Sequence, residues 1–310
     1  MEKERDIRVE LFRVEGDIAP FVMVDYVDKD AQEHSGLMLL DSGCNNNVFY
    51  SEMADKIGDL CKMQDEYTQI RTSTNVVISA ENINLSFALD GTLFHERFCL
   101  LDEPGHENNV EMPPIIGILG LRFMMKHRLV IDYSDFSFHT SDVSHSNFST
   151  YQCDFFFPMG IGMKYYDLPV LAFVQGDWEL VALVDTGAEC NAISSSVLFD
   201  KGIKSQMLEG TDTIYGMAGC LEVKEAEIEF GLLTLKDDYT EEIKRKDDFK
   251  IIPHVVNNPI EGICDDSGNH PDSIEVVIGS PFMAEEGWAL DFGEMIIYKR
   301  KQTTSLREIV

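Results

Sequence analysis

The sequence predicts a mainly β molecule: two similar lobes in one monomeric chain, related by a pseudo-two-fold axis and facing each other across a cleft. Three observations predict it. An apolar run ending in Asp, a hydroxyl residue and Gly occurs twice, in LMLLDSGCNNNVF (37–49) and LVALVDTGAECNAIS (180–194). A second pair, IIGILGLRFMMKHRLVIDYSDFSFH (115–139) and VVIGSPFMAEEGWALDFGEMIIY (276–298), matches when Gly120 is laid on Gly279. Most of the remainder reads as short runs of alternating or β-rich apolar residues. Repetition outranks local propensity, because it fixes how many units the chain builds.

Taken in order, IRVELFRV (7–14) and FVMVDYV (21–27) read as strands that open the first lobe, and the first Asp motif follows. YSEMADKIGDL (50–60) is a short helical patch, and VVISAENINLSF (76–87) is a strand. FALDGTLF (87–94) places Asp-Gly between apolar runs, the mark of a tight hairpin. Next come the Gly120 element, a helical patch LRFMMKH (121–127) and a closing strand through IDY (131–133). The Ser/Thr-rich HTSDVSHSNFST (139–150) has no core pattern and reads as the linker, giving lobes 1–145 and 146–310.

The second lobe repeats the scheme, with PVLAFVQ (169–175), LEVKEAEIEF (221–230) and a helical patch SPFMAEEG (280–287). The Asp motifs lie 185 − 41 = 144 residues apart and the later glycines 279 − 120 = 159, so the second lobe carries about fifteen extra residues. FGLLTLKDDYTEEIKRKDDFKII (230–252) reads as a longer, solvated hairpin loop holding them. NNPIEGICDDSGNHPDS (257–273) reads as another loop, in which Cys264, Asp265, Asp266 and His270 match no metal-ligand spacing.

Composition narrows the function classes. A chain of 310 residues suffices for two lobes that each bury a core. With 55 acidic against 25 basic side chains the formal charge is −30, and no basic run could track a phosphate backbone; nucleic acid is not an expected partner. The seven cysteines are scattered without a C-x-x-C pair, which points to a reducing compartment rather than a disulfide framework or a zinc site. MEKERDIRVELFRV lacks the pattern of a signal peptide, and no apolar run approaches the roughly 18 residues of a membrane span. The expected location is the cytoplasm, with no membrane partner and no metal or other cofactor.

An Asp at the end of an apolar strand can simply accept hydrogen bonds in the turn that follows. Two copies in a duplicated chain add a second reading, since a two-fold relation brings equivalent turns face to face. Two carboxylates a few ångströms apart cannot both ionise easily, so they share one proton. The ionised member then deprotonates a water as it attacks a peptide carbonyl, and the protonated member hydrogen-bonds the developing oxyanion. Gly43 and Gly187 allow a tight turn where a Cβ would crowd the water, and Ser42 and Thr186 offer hydroxyls to the backbone of the opposite lobe.

These residues resemble the retropepsin-like aspartic proteases, here as a tandem duplication. The likeness rests on Asp41-Ser42-Gly43 and Asp185-Thr186-Gly187, then Ile118-Leu119-Gly120 and Val277-Ile278-Gly279, each followed by a short helix and a closing strand; it covers essentially the whole chain. The resemblance implies the acid-protease fold, with Asp41 and Asp185 as catalytic pair and Ser42, Gly43, Thr186 and Gly187 as their support. It also implies a peptide or protein substrate and a flap over it, for which Tyr215, Gly216, Met217, Ala218 and Gly219 are the candidates. The first lobe departs from the pattern: its corresponding tip, RTSTN (71–75), has no glycine and reads as a short hairpin that need not cover substrate.

Cys44 beside Asp41 is read as a structural thiol, because an adjacent Asp raises a thiol's pKa and no His is placed to activate it. Asp132 and Asp291 are read as structural acceptors in the closing strands. The expected activity is that of an aspartic endopeptidase with a mildly acidic to neutral optimum, given a sequence pI near 4.4. The rivals are a catalytically attenuated peptide-binding or scaffold protein of the same fold and a processing peptidase with one dedicated partner.

Overall fold

The computed structural model describes residues 7–12, 18–28, 30–57, 61–71, 77–102, 113–141, 148–154, 169–216, 219–236, 239–253, 255 and 274–300. The first lobe runs β1 (Arg8–Glu10), β2 (Phe21–Val27), β3 (Glu33–Asp41), β4 (Asn47–Tyr50), α1 (Ser51–Ile57), β5 (Cys61–Arg71), β6 (Val77–Leu89), β7 (Thr92–Leu101), β8 (Ile115–Gly120), α2 (Leu121–Lys126), β9 (Leu129–Asp132) and β10 (Ser137–Thr140). The second runs β11 (Phe148–Asp154), β12 (Val170–Gln175), β13 (Trp178–Asp185), β14 (Asn191–Ser194), α3 (Ser195–Asp200), β15 (Ser205–Met207), β16 (Asp212–Gly216), β17 (Gly219–Lys236), β18 (Tyr239–Ile252), β19 (Ile274–Gly279), α4 (Ser280–Glu286), β20 (Trp288–Asp291) and β21 (Ile296–Arg300).

Each lobe closes a barrel-like ring. In the first the order is β2-β3-β8-β4-β7-β6, shut by a β2–β6 pairing; in the second it is β12-β13-β19-β14-β18-β17, shut by a β12–β17 pairing. The rings match rung for rung. β3 runs parallel to β8 with Asp41 opposite Gly120, and β13 runs parallel to β19 with Asp185 opposite Gly279. A register shift falls at the same place in both, at Leu37/Met38 and at Val181/Ala182.

The ring interiors explain which positions are apolar. Phe87, Phe98 and Phe123 pack as a cluster in the first lobe, and Phe230, Phe249 and Phe282 occupy the matching places in the second. All are buried. Edge-to-face aromatic pairs of this kind add to the area they bury.

The lobes are joined by a sheet that neither could make alone. β1, β10 and β9 of the first lobe continue through β20, β21 and β11 of the second. The junction is antiparallel, with Leu290 opposite Ile131, and is symmetric: Tyr133 N–H donates to the Trp288 carbonyl at 2.8 Å and Phe292 N–H to the Leu129 carbonyl at 2.9 Å. Asp132 and Asp291 cap the turns after these strands, accepting from Ser134 N–H at 2.9 Å and Gly293 N–H at 2.8 Å.

Three expectations need correction. The charged stretch 230–252 is not a solvated loop: β17 and β18 stay paired from Lys224↔Ile251 to Lys236↔Tyr239. Its sequence, KDDYTEEIKRKDD, is mostly charged and carries no apolar alternation to announce a strand. Its added length, together with the connection before β19, takes up the extra residues: the offset between equivalent residues is 226 − 83 = 143 on entering the hairpin and 249 − 98 = 151 on leaving it.

The expected linker, 139–150, is strand at both ends, with β10 reaching Thr140 and β11 starting at Phe148; the boundary near 145 lies outside the described residues. The first-lobe hairpin is also longer than its glycine-free tip suggested. β5 and β6 pair from Cys61↔Asn84 to Arg71↔Val77, and residues 72–76 lie outside the described residues. By contrast the Asp-Gly hairpin is tight, with Asp90 at φ 50° and Gly91 at φ 69°, both left-handed as a primed turn requires. Cys264, Asp265, Asp266 and His270 lie outside the described residues. Among the described residues no helix is long and apolar enough to cross a membrane.

Candidate active site

β3 and β13 end where their rings open, and each delivers its last residue, Asp41 or Asp185, to the junction of the lobes. The turn that follows holds the carboxylate. Asp41 Oδ1 accepts from the N–H groups of Gly43 at 2.8 Å and Cys44 at 3.0 Å; Asp185 Oδ1 accepts from Gly187 N–H at 2.9 Å. The two turns face each other closely. A Cβ on Gly43 would lie 2.4 Å from Asp185 Oδ2, and one on Gly187 would lie 2.5 Å from Asp41 Cγ, so each glycine makes room for the opposite carboxylate.

The hydroxyls lock the turns together. Thr186 Oγ1 accepts from Ser42 N–H at 2.9 Å and donates to the Leu40 carbonyl at 2.6 Å. Ser42 Oγ accepts from Thr186 N–H at 2.9 Å and donates to the Val184 carbonyl at 2.7 Å. Both residues are fully buried, so every one of these bonds replaces a lost bond to water. The arrangement is reciprocal, and neither lobe can complete it alone.

Two residues that sequence reasoning missed stabilise this geometry. Asn47 and Asn191, at matching places after the two motifs, accept the N–H of Gly120 at 3.0 Å and of Gly279 at 2.9 Å. They thereby tie the later glycine element to the loop carrying the Asp. Their equal distance from Asp41 and Asp185 was the available signal. Gly120 and Gly279 themselves sit against loop carbonyls, where a Cβ would approach Asn46 O or Cys190 O to 2.5 Å.

Burial and proximity govern the protons. Burial pushes Asp41 up, and the neighbouring carboxylate of Asp185 pushes it further, well above the usual carboxylate range. Asp185 is also raised by burial, while bonds from Asp41 and backbone N–H groups oppose the rise. The two act as a unit, and the unit keeps a proton to higher pH than a lone carboxylate. Burial first, then the charge of Asp41, pushes the Cys44 thiol far up, and Cys190 is pushed up to about 11; neither is a nucleophile at neutral pH.

The candidate flap forms the end of the β16–β17 hairpin. Tyr215 is 72% exposed and pairs with Cys220, while Gly216 pairs with Gly219; Met217 and Ala218 lie outside the described residues. The structure therefore brings Asp41, Ser42, Gly43, Asp185, Thr186 and Gly187 into one cluster, with the hairpin as a separate arm. No family model matches the chain, and no curated protein matches it.

Proposed function

We propose that the chain is an aspartic endopeptidase of the retropepsin-like kind, with both halves of the fold in one molecule. The observation that carries this reading is the reciprocal facing of Asp41 and Asp185, each fixed by backbone N–H groups and by the crossed Ser42–Thr186 bonds. A carboxylate pair sharing one proton suits water-mediated hydrolysis: one member takes a proton from the water, the other donates to the carbonyl oxygen. Preorganisation by buried hydroxyls keeps both oxygens aimed without a cost at the moment of reaction.

The substrate is an extended peptide or a protein segment, held by strand addition between the hairpins β5–β6 and β16–β17. Because both carboxylates belong to one chain, the monomer is the working unit. The raised protonation range favours a mildly acidic to neutral optimum over a strongly acidic one. The test is cleavage of an unbiased peptide mixture from about pH 3 to 8, read by mass spectrometry. Cuts made by the parent and abolished by Asp41→Asn support the reading; a folded parent that makes none, or cuts that survive the substitution, would overturn it.

A further inference from the structure

The crossed Ser42–Thr186 bonds are symmetric, but what stands behind them is not. The Thr186 carbonyl accepts from Ser280 Oγ at 2.6 Å, and Ser280 Oγ lies 2.6 Å from the Tyr133 hydroxyl. A carbonyl only accepts, so the single Ser280 proton is spent on Thr186, and Tyr133 donates to Ser280. The chain of donors therefore runs from the first lobe into the second: Tyr133 O–H, Ser280 O–H, Thr186 C=O. All three residues are buried. At the matching places stand Leu121 and Phe292, also buried and without a hydroxyl to offer. The backbone is otherwise equivalent, since Leu121 N–H donates to the Cys44 carbonyl at 2.7 Å and Ser280 N–H to the Ala188 carbonyl at 2.9 Å.

The Thr186 carbonyl and the Gly187 N–H belong to one peptide group. Hydrogen bonding at the oxygen polarises that group and makes its N–H a stronger donor, and chains of such bonds reinforce one another. The Gly187 N–H donates to Asp185 Oδ1 at 2.9 Å. The corresponding N–H, on Gly43, serves Asp41 with no side-chain donor from position 121 behind it. We propose that Tyr133 and Ser280 are positioning residues that set the resting state of the pair, holding Asp185 as the carboxylate and leaving the shared proton on Asp41.

This rests on the proteolytic reading only for its effect on rate; the proton's place is a property of the folded protein. Among the described residues the ionisable groups facing Asp185 are Asp41 and, more remotely, the thiols of Cys44 and Cys190, both kept neutral by burial, so the titration belongs to the aspartate pair. Had gene duplication kept two identical halves, neither Asp would be favoured. The Tyr133–Ser280 brace breaks that tie without touching either carboxylate.

The test is a carbon-13 carboxyl titration of the aspartate-labelled full chain, assigned with Asp41→Asn and Asp185→Asn, alongside the pH profile of peptide cleavage. In the parent, the carboxyl lost in Asp185→Asn is expected to titrate first. Tyr133→Phe, which copies the residue found at 292, and Ser280→Ala should move that titration up by about half a unit or more, with Ser280→Thr restoring it. The acid limb of kcat/KM should move with it while KM changes little. If Tyr133→Phe is folded and leaves both carboxyl titrations where they were, the inference fails whatever the activity. If the titrations shift as stated but no peptide is cleaved, the inference stands and the proteolytic reading fails.

Discussion

The two lobes build the same rung at the root of their hairpins from different chemistry. In the first, Asn82 on β6 pairs with Cys99 on β7, and Asn82 Oδ1 accepts from Thr68 of β5 at 2.9 Å and Cys99 Sγ at 3.5 Å. In the second, Glu225 on β17 pairs with Lys250 on β18, and Lys250 bridges Glu225 and Asp212 of β16. Thr68 faces Ala80 and Asp212 faces Val223, two residues before the pair in both cases, so the triads are equivalent. One is neutral and buried at Asn82 and Cys99. The other is ionic, with the Asp212 side chain 54% exposed. The ring requires a tie between hairpin and barrel but leaves its chemistry free, whereas at the dyad it leaves almost nothing free.

Substitutions at the dyad should therefore act alike in both lobes, and substitutions at the roots should not. Beside the two aspartates, the largest effect is expected from Gly43→Ala and Gly187→Ala. Each puts a methyl into the opposite carboxylate, and activity should fall by at least about 100-fold from a displacement of under an ångström. A large loss in one lobe only would break the equivalence. Next, Ser42→Ala and Thr186→Val each leave buried backbone partners unsatisfied and should cost about 2 kcal/mol in chemical denaturation.

A third prediction concerns pH. Asp41 has a higher pKa folded than unfolded, so its contribution to stability is fully present at low pH and is lost as pH rises through the folded value. Removing the charge removes that loss. Asp41→Asn should therefore melt above the parent at pH 8, and the gap should close as pH falls into the usual carboxylate range.

The smallest effect separates the roots. Asp212 is held below its usual range chiefly by Lys250, and Lys250 is raised by Asp212 and Glu225 against its own burial. The tie thus operates above the Asp212 pKa and below that of Lys250, a window that includes neutral pH. Lys250→Met should raise KM a few-fold at low salt and less at high salt, because partly exposed charges are screened. Cys99→Val in the first lobe should show no such salt dependence. If the two respond identically to salt, the charge difference has no role in holding the hairpins.

What could be read beforehand followed from repetition. The Asp, hydroxyl and Gly positions and the later glycines stood out because each occurs twice at matched places. Asn47 and Asn191 carry the same mark, but an Asn after a turn has an ordinary local explanation that hides it. The β17–β18 arm was hidden because its sequence, KDDYTEEIKRKDD, lacks the apolar alternation that marks a strand. The sheet joining the lobes was hidden for another reason: Leu290 and Ile131 are far apart in the chain, and nothing local records that they pair. The Tyr133–Ser280 brace was invisible because it is a departure from the repeat.

Whether Asp41 and Asp185 act as one catalytic unit shows in the cleavage rate of a single good peptide in Asp41→Asn, Asp185→Asn and the double variant. Each single substitution is expected to lower kcat by about 1,000-fold or more, with the double variant no worse than either, because a unit is already lost with its first member. Substantial activity in either single variant, or losses that multiply in the double, would contradict it.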